Sequence, residues 1–105
     1  MDTVEQRSKA LFGNKDMLRL CDQIARYDDQ FTAQELAKIT DVVYSTTHRL
    51  LGALTAAGLV ERLPRNSGER EQWYRRRRHR FWQAARDLQA GSAQPRMGGP
   101  DGDER

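Results

Sequence analysis

The sequence predicts a mainly α-helical domain with one small β-hairpin. Three stretches lead to this prediction. Residues 31–41 contain a strong helix-start signal, and residues 43–57 place apolar side chains at helical spacing. Residues 59–76 contain two segments with strand-like alternation of apolar and polar side chains, separated by turn-forming residues. With 105 residues the chain can form one modest core. We therefore expect one domain over residues 1–90, followed by a disordered tail over residues 91–105, which is rich in Gly and Pro.

The first two predicted helices contribute to that core. Residues 3–12 can form a short helix that ends at Gly13. Asn14 would then cap a second helix over residues 15–27. The apolar positions of the second helix recur at helical spacing, and they are Met17, Leu20, Cys21 and Ile24. We expect Cys21 to be a core residue rather than a reactive thiol.

A third helix is predicted to begin directly after Thr32. Thr32 has the side chain of an N-cap, and Glu35 stands three residues later, where it completes a capping box. Phe31 and Leu36 occupy the positions of a hydrophobic staple. The helix can only be short, and Asp41 would lie in the turn that follows it, because Asp tolerates turn conformations.

The longest predicted helix, over residues 43–57, has an unusual outward face. Its core side gathers Thr47, Leu50, Leu51, Leu54 and Ala57. Its outward side presents hydrogen-bonding groups with little bulk, namely Ser45, His48, Arg49 and Gly52, flanked by Tyr44 and Thr46. An ordinary solvated face carries Glu and Lys pairs, whereas this helix has no acidic residue. A phosphate-lined groove explains that composition, so we interpret the helix as a DNA recognition helix. The alternative is a core helix whose polar face contacts nothing.

A β-hairpin follows Gly58, with strands over residues 59–63 and 71–75 and a basic tip between them. Two helices joined by a turn of three or four residues form a helix-turn-helix, and a hairpin directly after it is a wing. The sequence therefore predicts a winged helix-turn-helix. At the tip, the side chains that would contact phosphate or the minor groove are Arg65, Asn66 and Arg70. The alternative for the tip is a solvated loop.

The densest charge run and the last helix come after the wing. Residues 61–90 carry nine Arg against four Asp or Glu. The run itself comprises Arg75, Arg76, Arg77, Arg78, His79 and Arg80; it could bind phosphate, attract an acidic partner, or be a solvated junction. One face of the last helix gathers Phe81, Trp82, Ala85 and Leu88, and nothing downstream remains to cover it. We therefore predict that this face forms a homodimer interface together with the N-terminal helix.

Composition excludes several functional classes. No apolar run approaches the ~20 residues of a membrane span, and no signal peptide is visible, so we expect a cytoplasmic protein without a membrane partner. A single cysteine and two distant histidines argue against a metal site. No nucleophile with its base, carboxylate pair or phosphate-binding glycine loop is visible, so we expect neither an enzyme nor a cofactor.

Four segments resemble the winged helix-turn-helix core of bacterial transcription regulators. They are residues 35–38 (Glu-Leu-Ala-Lys), Thr40, residues 45–51 (Ser-Thr-Thr-His-Arg-Leu-Leu) and residues 54–62 (Leu-Thr-Ala-Ala-Gly-Leu-Val-Glu-Arg). The run over residues 45–51 is similar to the IclR type, while the overall size and the helix after the wing resemble the ArsR and MarR types. The resemblance covers residues 10–88 and implies a homodimer on a pseudo-palindromic operator. It implies no metal sensing, because the cysteine pairs of ArsR-type sensors are missing, and the sequence indicates no effector.

Two functional hypotheses follow from these observations. The first is a regulator, expected to be a repressor, that binds double-stranded DNA with helix 43–57 in the major groove and wing 59–76 on the backbone or minor groove. The residues predicted to contact bases are Tyr44, Ser45, His48 and Arg49, with Arg49 suited to guanine O6 and N7. Those predicted to contact the backbone are Thr32, Thr46, Arg65, Asn66 and Arg70. The second hypothesis is a protein-interaction module, antitoxin-like or a phage-type adaptor, that uses the run Arg75–Arg80.

Overall fold

The computed structural model describes residues 3–65, 68 and 70–91, which form five helices and three short strands. In chain order these are α1 (Val4–Phe12), α2 (Met17–Arg26), β1 (Gln30–Thr32), α3 (Ala33–Thr40), α4 (Tyr44–Ala56), β2 (Val60–Arg62), β3 (Trp73–Arg76) and α5 (Phe81–Gly91). The prediction of a mainly α-helical fold with a small hairpin is confirmed. The predicted tail beyond Gly91 and the wing residue Asn66 lie outside the described residues.

Helix α2 lies at the centre of the fold and packs against α1, α3 and α5. Its inward face is fully buried through Leu18, Leu20, Cys21 and Ile24. Burying an aliphatic side chain of this size stabilises the folded state by about 1.5–3 kcal/mol, so α2 is a major source of core stability. The predicted core role of Cys21 is confirmed. Burial also raises the pKa of the Cys21 thiol to about 12, which keeps it protonated and unreactive at neutral pH.

The start of α2 differs from its predicted position. The helix begins at Met17, two residues later than predicted, because Asn14 uses its side chain in the preceding turn. Asn14 Oδ1 accepts a hydrogen bond from the Asp16 N–H at 2.7 Å, an Asx-type turn. The hydroxyl of Ser8 on α1 then fixes this turn, since it donates to the Asn14 carbonyl at 2.6 Å and accepts from the Leu18 N–H at 2.9 Å.

The sheet contains one strand that the sequence did not predict. Strand β3 lies in the middle, antiparallel to both β2 and β1. The hairpin of β2 and β3 pairs Glu61 with Arg75, and its presence is as predicted. On the other side β1 pairs Phe31 with Tyr74. Three residues are too few for an alternating pattern, and the partner of β1 is more than forty positions away, so the local sequence does not indicate this strand.

Three aromatic rings connect the end of α2 to the sheet. The ring of Phe31 stacks on Tyr27 with a centroid distance of 5.0 Å and on Tyr74 with a distance of 5.9 Å. Phe31 and Tyr74 are buried, and Tyr27 is half-buried. Offset-stacked pairs of this kind contribute about 0.5–1.5 kcal/mol each beyond their area burial. The base of the wing is therefore part of the core.

Helices α3 and α4 form the predicted helix-turn-helix. Thr32 Oγ1 accepts from the Glu35 N–H at 3.1 Å, and Glu35 Oε1 accepts from the Thr32 N–H at 3.3 Å, so the capping box is confirmed. Asp41 ends α3 in the left-handed region with φ 59°, which is the turn conformation proposed for it. Gly58 has φ 81° just after α4, as expected of a C′ residue. Ala57, predicted on the core side, is instead exposed because α4 has ended before it.

Helix α5 packs against α2 of the same chain. The argument that its apolar face has nothing to cover it, from which the dimer interface was inferred, is therefore wrong. Trp82 is 5% and Ala85 is 1% exposed, and the Trp82 indole N–H donates to the Arg77 carbonyl at 2.9 Å. The face predicted to remain uncovered is buried against α2, while Phe81 and Leu88 are half-buried at its margins. The sequence pattern showed an apolar face but could not show that α2 would cover it. The oligomeric state itself stays a prediction.

Candidate nucleic-acid interface

The outward face of α4 is exposed over its whole length. Ser45, His48, Arg49 and Gly52 are exposed, Tyr44 is 50% exposed, and Thr46 is half-buried. The opposite face, with Thr47, Leu50, Leu51 and Leu54, is buried, so the predicted division of the helix into two sides holds for these residues. The Arg49 guanidinium has no hydrogen-bonding or ionic partner among residues 3–65, 68 and 70–91. An unpaired guanidinium on a helix without acidic residues is available for an external acceptor.

A groove of about 320 Å³ joins α4 to the wing. Five of the residues predicted to contact DNA line it: Thr32 at the start of α3, Tyr44 and His48 from α4, and Arg65 and Arg70 from the wing. The Tyr44 and His48 rings lie 5.9 Å apart at their centroids on the α4 side. The fold therefore brings residues that are about twenty positions apart in the sequence into one concave surface.

Thr32 also lines this groove, but its predicted role needs correction. The residue is 3% exposed, and its hydroxyl is occupied by the Glu35 N–H. Removing that acceptor from the helix start would lower the free energy of unfolding by about 1 kcal/mol. The Thr32 side chain therefore stabilises α3 and is not exposed for a phosphate.

Five further residues line the groove that sequence reasoning did not select as contacts: the buried Ala33 and Tyr74, and the polar Gln34, Glu71 and Gln72. Gln72 is structural, because its Nε2 donates to the Leu63 and Trp73 carbonyls at 2.7 and 2.9 Å and holds the two strands of the wing together. Gln34 is exposed on the first turn of α3, directly beside the groove. Its position two residues after the N-cap was the signal that could have identified it.

The described part of the wing tip is organised by an arginine. Arg65 Nη1 donates to the Arg70 carbonyl at 2.9 Å and so closes the tip between the two strands. Gly68, also in the tip, has φ 90°, a conformation that L residues rarely adopt. Arg65 and Arg70 are both exposed. The tip therefore carries two cations on a turn that is constrained from within.

The run Arg75–Arg80 does not act as one basic surface. Arg75 donates to Glu61 Oε2 at 2.8 and 3.0 Å, and Arg77 lies 3.6 Å from the other oxygen of the same carboxylate. Arg76 is half-buried, and its Nη1 donates to the Ile24 and Tyr27 carbonyls at 2.8 and 2.6 Å. These bonds satisfy acceptors at the end of α2, where carbonyl groups lack partners within the helix.

Two arginines of the run differ from these three. Arg78 and Arg80 are exposed, and their guanidinium groups make no hydrogen bond or ion pair with a residue in the described part of the chain. The three alternatives for the run therefore stay predictions, although the side chains of Arg75, Arg76 and Arg77 have partners within the fold. Cross-strand pairing placed Glu61 opposite Arg75, and that distant register was not visible in the charge pattern.

Two other classes of site have no candidate here. Among residues 3–65, 68 and 70–91 no three His, Cys, Asp or Glu side chains come together in a way that could hold a metal ion. No helix in the same residues has the length and apolar character to cross a membrane.

Known proteins share both the sequence and the fold of this region. A family model described as the IclR helix-turn-helix domain matches residues 17–64. Among solved structures, the chain is similar to a mutant MarR from E. coli complexed with operator DNA, with a TM-score of 0.57 and 22% sequence identity. That similarity covers 84% of this chain and 61% of the MarR chain, so this chain spans less than two thirds of the other's length. No curated protein matches the sequence at a significant level.

These findings agree with the geometry of the site. The matched residues run from the start of α2 to the beginning of the wing and include the whole helix-turn-helix. The sequence resemblance to winged helix-turn-helix transcription regulators is confirmed, with the IclR-like motif on α4. The chain is a winged helix-turn-helix protein whose residues 17–64 match the IclR helix-turn-helix domain.

Proposed function

We propose that the protein is a sequence-specific DNA-binding transcription regulator that acts as a repressor by occupying a promoter. The observation that carries this proposal is the exposed outward face of α4, which has no acidic residue and meets the cationic wing across one groove. A helix of about 10–12 Å diameter fits the major groove, which is about 12 Å wide. The MarR structure with a similar fold was solved with operator DNA, which supports the proposal.

Base recognition is assigned to the first two turns of α4. Arg49 is exposed and unpaired, and its planar guanidinium can donate two hydrogen bonds to guanine O6 and N7. Ser45 and His48 lie on the same exposed side, one turn and one residue before Arg49, and Tyr44 borders them. Hydrogen bonds to base edges provide specificity, whereas contacts to phosphate do not.

Backbone contacts are assigned to the wing and to the side of α4. Arg65 and Arg70 would contact phosphates or enter the minor groove, with Asn66 beside them in the predicted tip. Thr46 is half-buried and can offer its hydroxyl to a phosphate at the edge of the groove. Such contacts fix the position of the protein on the duplex and contribute most of its salt dependence.

A homodimer is part of the proposal, because one recognition helix covers only a single half-site. The chain offers an apolar contact on α1, where Leu11 is 56% exposed, and at the margins of α5, where Phe81 and Leu88 are half-buried. Light scattering at tens of micromolar protein, with and without DNA, tests this point. A monomer under both conditions would reject the homodimer.

The function is tested by selecting duplexes from a random-sequence pool and measuring their affinity by fluorescence anisotropy. We expect an enriched sequence that binds more tightly than a scrambled duplex, and we expect Arg49→Ala to reduce that preference. Arg86→Ala is the matched control, since Arg86 is also exposed but lies on α5. A wild-type protein that enriches no sequence and binds no duplex would refute the proposal.

A second candidate function rests on Arg78 and Arg80, which are exposed and unpaired near the start of α5. These cations could bind an acidic protein partner. In that case charge reversal at both positions would abolish partner binding and leave the affinity for DNA unchanged. The first function predicts instead that DNA affinity falls on substitution of Arg49, Arg65 or Arg70, because its contacts lie on α4 and the wing.

A further inference from the structure

The apolar surface of the protein is concentrated at one end of the recognition helix. Four large apolar side chains among the described residues are exposed, and three of them lie within residues 39–44: Ile39, Val43 and Tyr44. Single exposed apolar residues are common and need no explanation. Three within six positions of the chain are unusual enough to ask what each could contact.

Val43 is the most exposed of these four side chains, at 69%. It occupies the N-cap of α4, where its side chain makes no capping hydrogen bond. Valine is among the poorest residues at this position, because the cap needs a side-chain acceptor for a free backbone N–H. The starts of α1 and α3, in contrast, each have a threonine within a complete capping box. Helix stability has therefore been lost at the one helix start that would enter DNA.

The leading end of a recognition helix contacts base edges in the major groove. The floor of that groove is polar except at one place, the C5-methyl group of thymine. An apolar side chain at the helix start gains nothing from phosphate or from the polar base edges. The one group on DNA that would compensate for an exposed Val43 is that methyl.

Resting on the proposed DNA-binding function, we propose that Val43 recognises a thymine through its C5-methyl group. The contact removes both the methyl and the valine from water. Burial of one methyl group contributes about 0.8 kcal/mol, which corresponds to about a fourfold change in Kd. Arg49 and Ser45 would then hydrogen-bond to bases further along the same half-site.

The test uses deoxyuridine, which differs from thymidine only in lacking the methyl. Each thymine of a duplex selected by the wild-type protein is replaced in turn, and Kd is measured by fluorescence anisotropy. The wild-type protein is expected to lose about fourfold in affinity at one thymine of each half-site. In Val43→Ala the loss at that position should fall below about twofold, because the apolar partner of the methyl is gone.

Two controls separate recognition from folding. Val43→Ser removes the same apolar groups but supplies a good N-cap, so it should melt no lower than wild type and still lose the preference for thymine. Ile39→Ala truncates another exposed aliphatic residue, on α3. It should keep the wild-type response to deoxyuridine.

Each outcome supports or overturns the inference. A wild-type protein that binds its selected duplex but responds to no deoxyuridine would overturn the role of Val43 and leave the DNA-binding function standing. The role of Val43 is equally overturned if Val43→Ala or Val43→Ser keeps the full loss at that position. If the wild-type protein enriches no duplex at all, the proposed function fails and the thymine contact fails with it.

Discussion

The substitution Gly52→Ala should change stability and DNA affinity in opposite directions. Gly52 lies on the exposed face of α4, and a Cβ built at this position has no atom outside the local helix backbone within 4 Å. Alanine is favoured over glycine inside a helix by about 1 kcal/mol. Because nothing in the protein opposes the added methyl, the full gain should appear, and it corresponds to a rise in Tm of about 4–8 °C for a domain of this size.

The DNA complex should respond differently. If the duplex approaches the α4 backbone at Gly52, the added methyl must displace either the helix or the DNA. Forcing a methyl into a packed contact costs about 1–3 kcal/mol, which weakens binding by roughly fivefold to a hundredfold. Thermal denaturation by circular dichroism and anisotropy titration on the selected duplex measure the two effects on one protein preparation.

The reverse substitution on another helix is the matched control. Ala10 is exposed on α1, so Ala10→Gly should lower stability by about 1 kcal/mol and leave DNA affinity unchanged. If Gly52→Ala raises Tm but binds DNA as tightly as wild type, the close approach of DNA to this point of α4 is refuted. If Tm does not rise, the open space around Gly52 is refuted instead.

Three further predictions concern the site and the core. Arg49→Ala should lower the binding free energy by about 1–3 kcal/mol on the selected duplex and by little on random DNA, and equal losses on both DNAs would contradict the base contact. Arg65→Ala or Arg70→Ala should weaken binding to both DNAs and, in titrations at several salt concentrations, reduce the slope of log affinity against log salt by about 0.9. Trp82→Ala should destabilise the monomer by about 3–5 kcal/mol in urea denaturation, because the indole is buried inside its own chain, and an unchanged midpoint would contradict that burial. The contribution of Cys21 to the free energy of unfolding should be constant below pH 9 and fall as pH rises toward 12, because burial raises the pKa of the folded thiol from 9.0 to about 12 and the unfolded thiol loses its proton first. Cys21→Ser should lack that fall. An identical pH profile for the variant would contradict the assignment.

Local chemistry made much of this fold predictable. The capping box of Thr32 and Glu35 and the two sides of α4 depend on residues three or four positions apart, so the sequence alone specifies them. The same holds for the left-handed turn at Asp41, whose side chain tolerates that conformation.

Long-range pairing explains what was missed. Strand β1 exists only because β3 provides partners for it. The partner of the Arg75 side chain is Glu61, and the partners of Arg76 are carbonyls at the end of α2. The burial of Trp82 depends on α2 in the same way. In the site, sequence reasoning placed Tyr44 and His48 on α4 and Arg65 and Arg70 in the wing, but the groove that joins them required the tertiary structure.

The stacked rings of Tyr27, Phe31 and Tyr74 determine how the wing can adapt to a partner. Two of the three strands that hold the wing carry a ring of this stack, so its base cannot move without separating aromatic contacts in the core. The paired strands are therefore fixed before any partner binds. Fixing a backbone residue that is free beforehand costs roughly 1–2 kcal/mol, and these strands would not add that cost on binding. A rigid base thus lowers the entropic cost of engaging DNA.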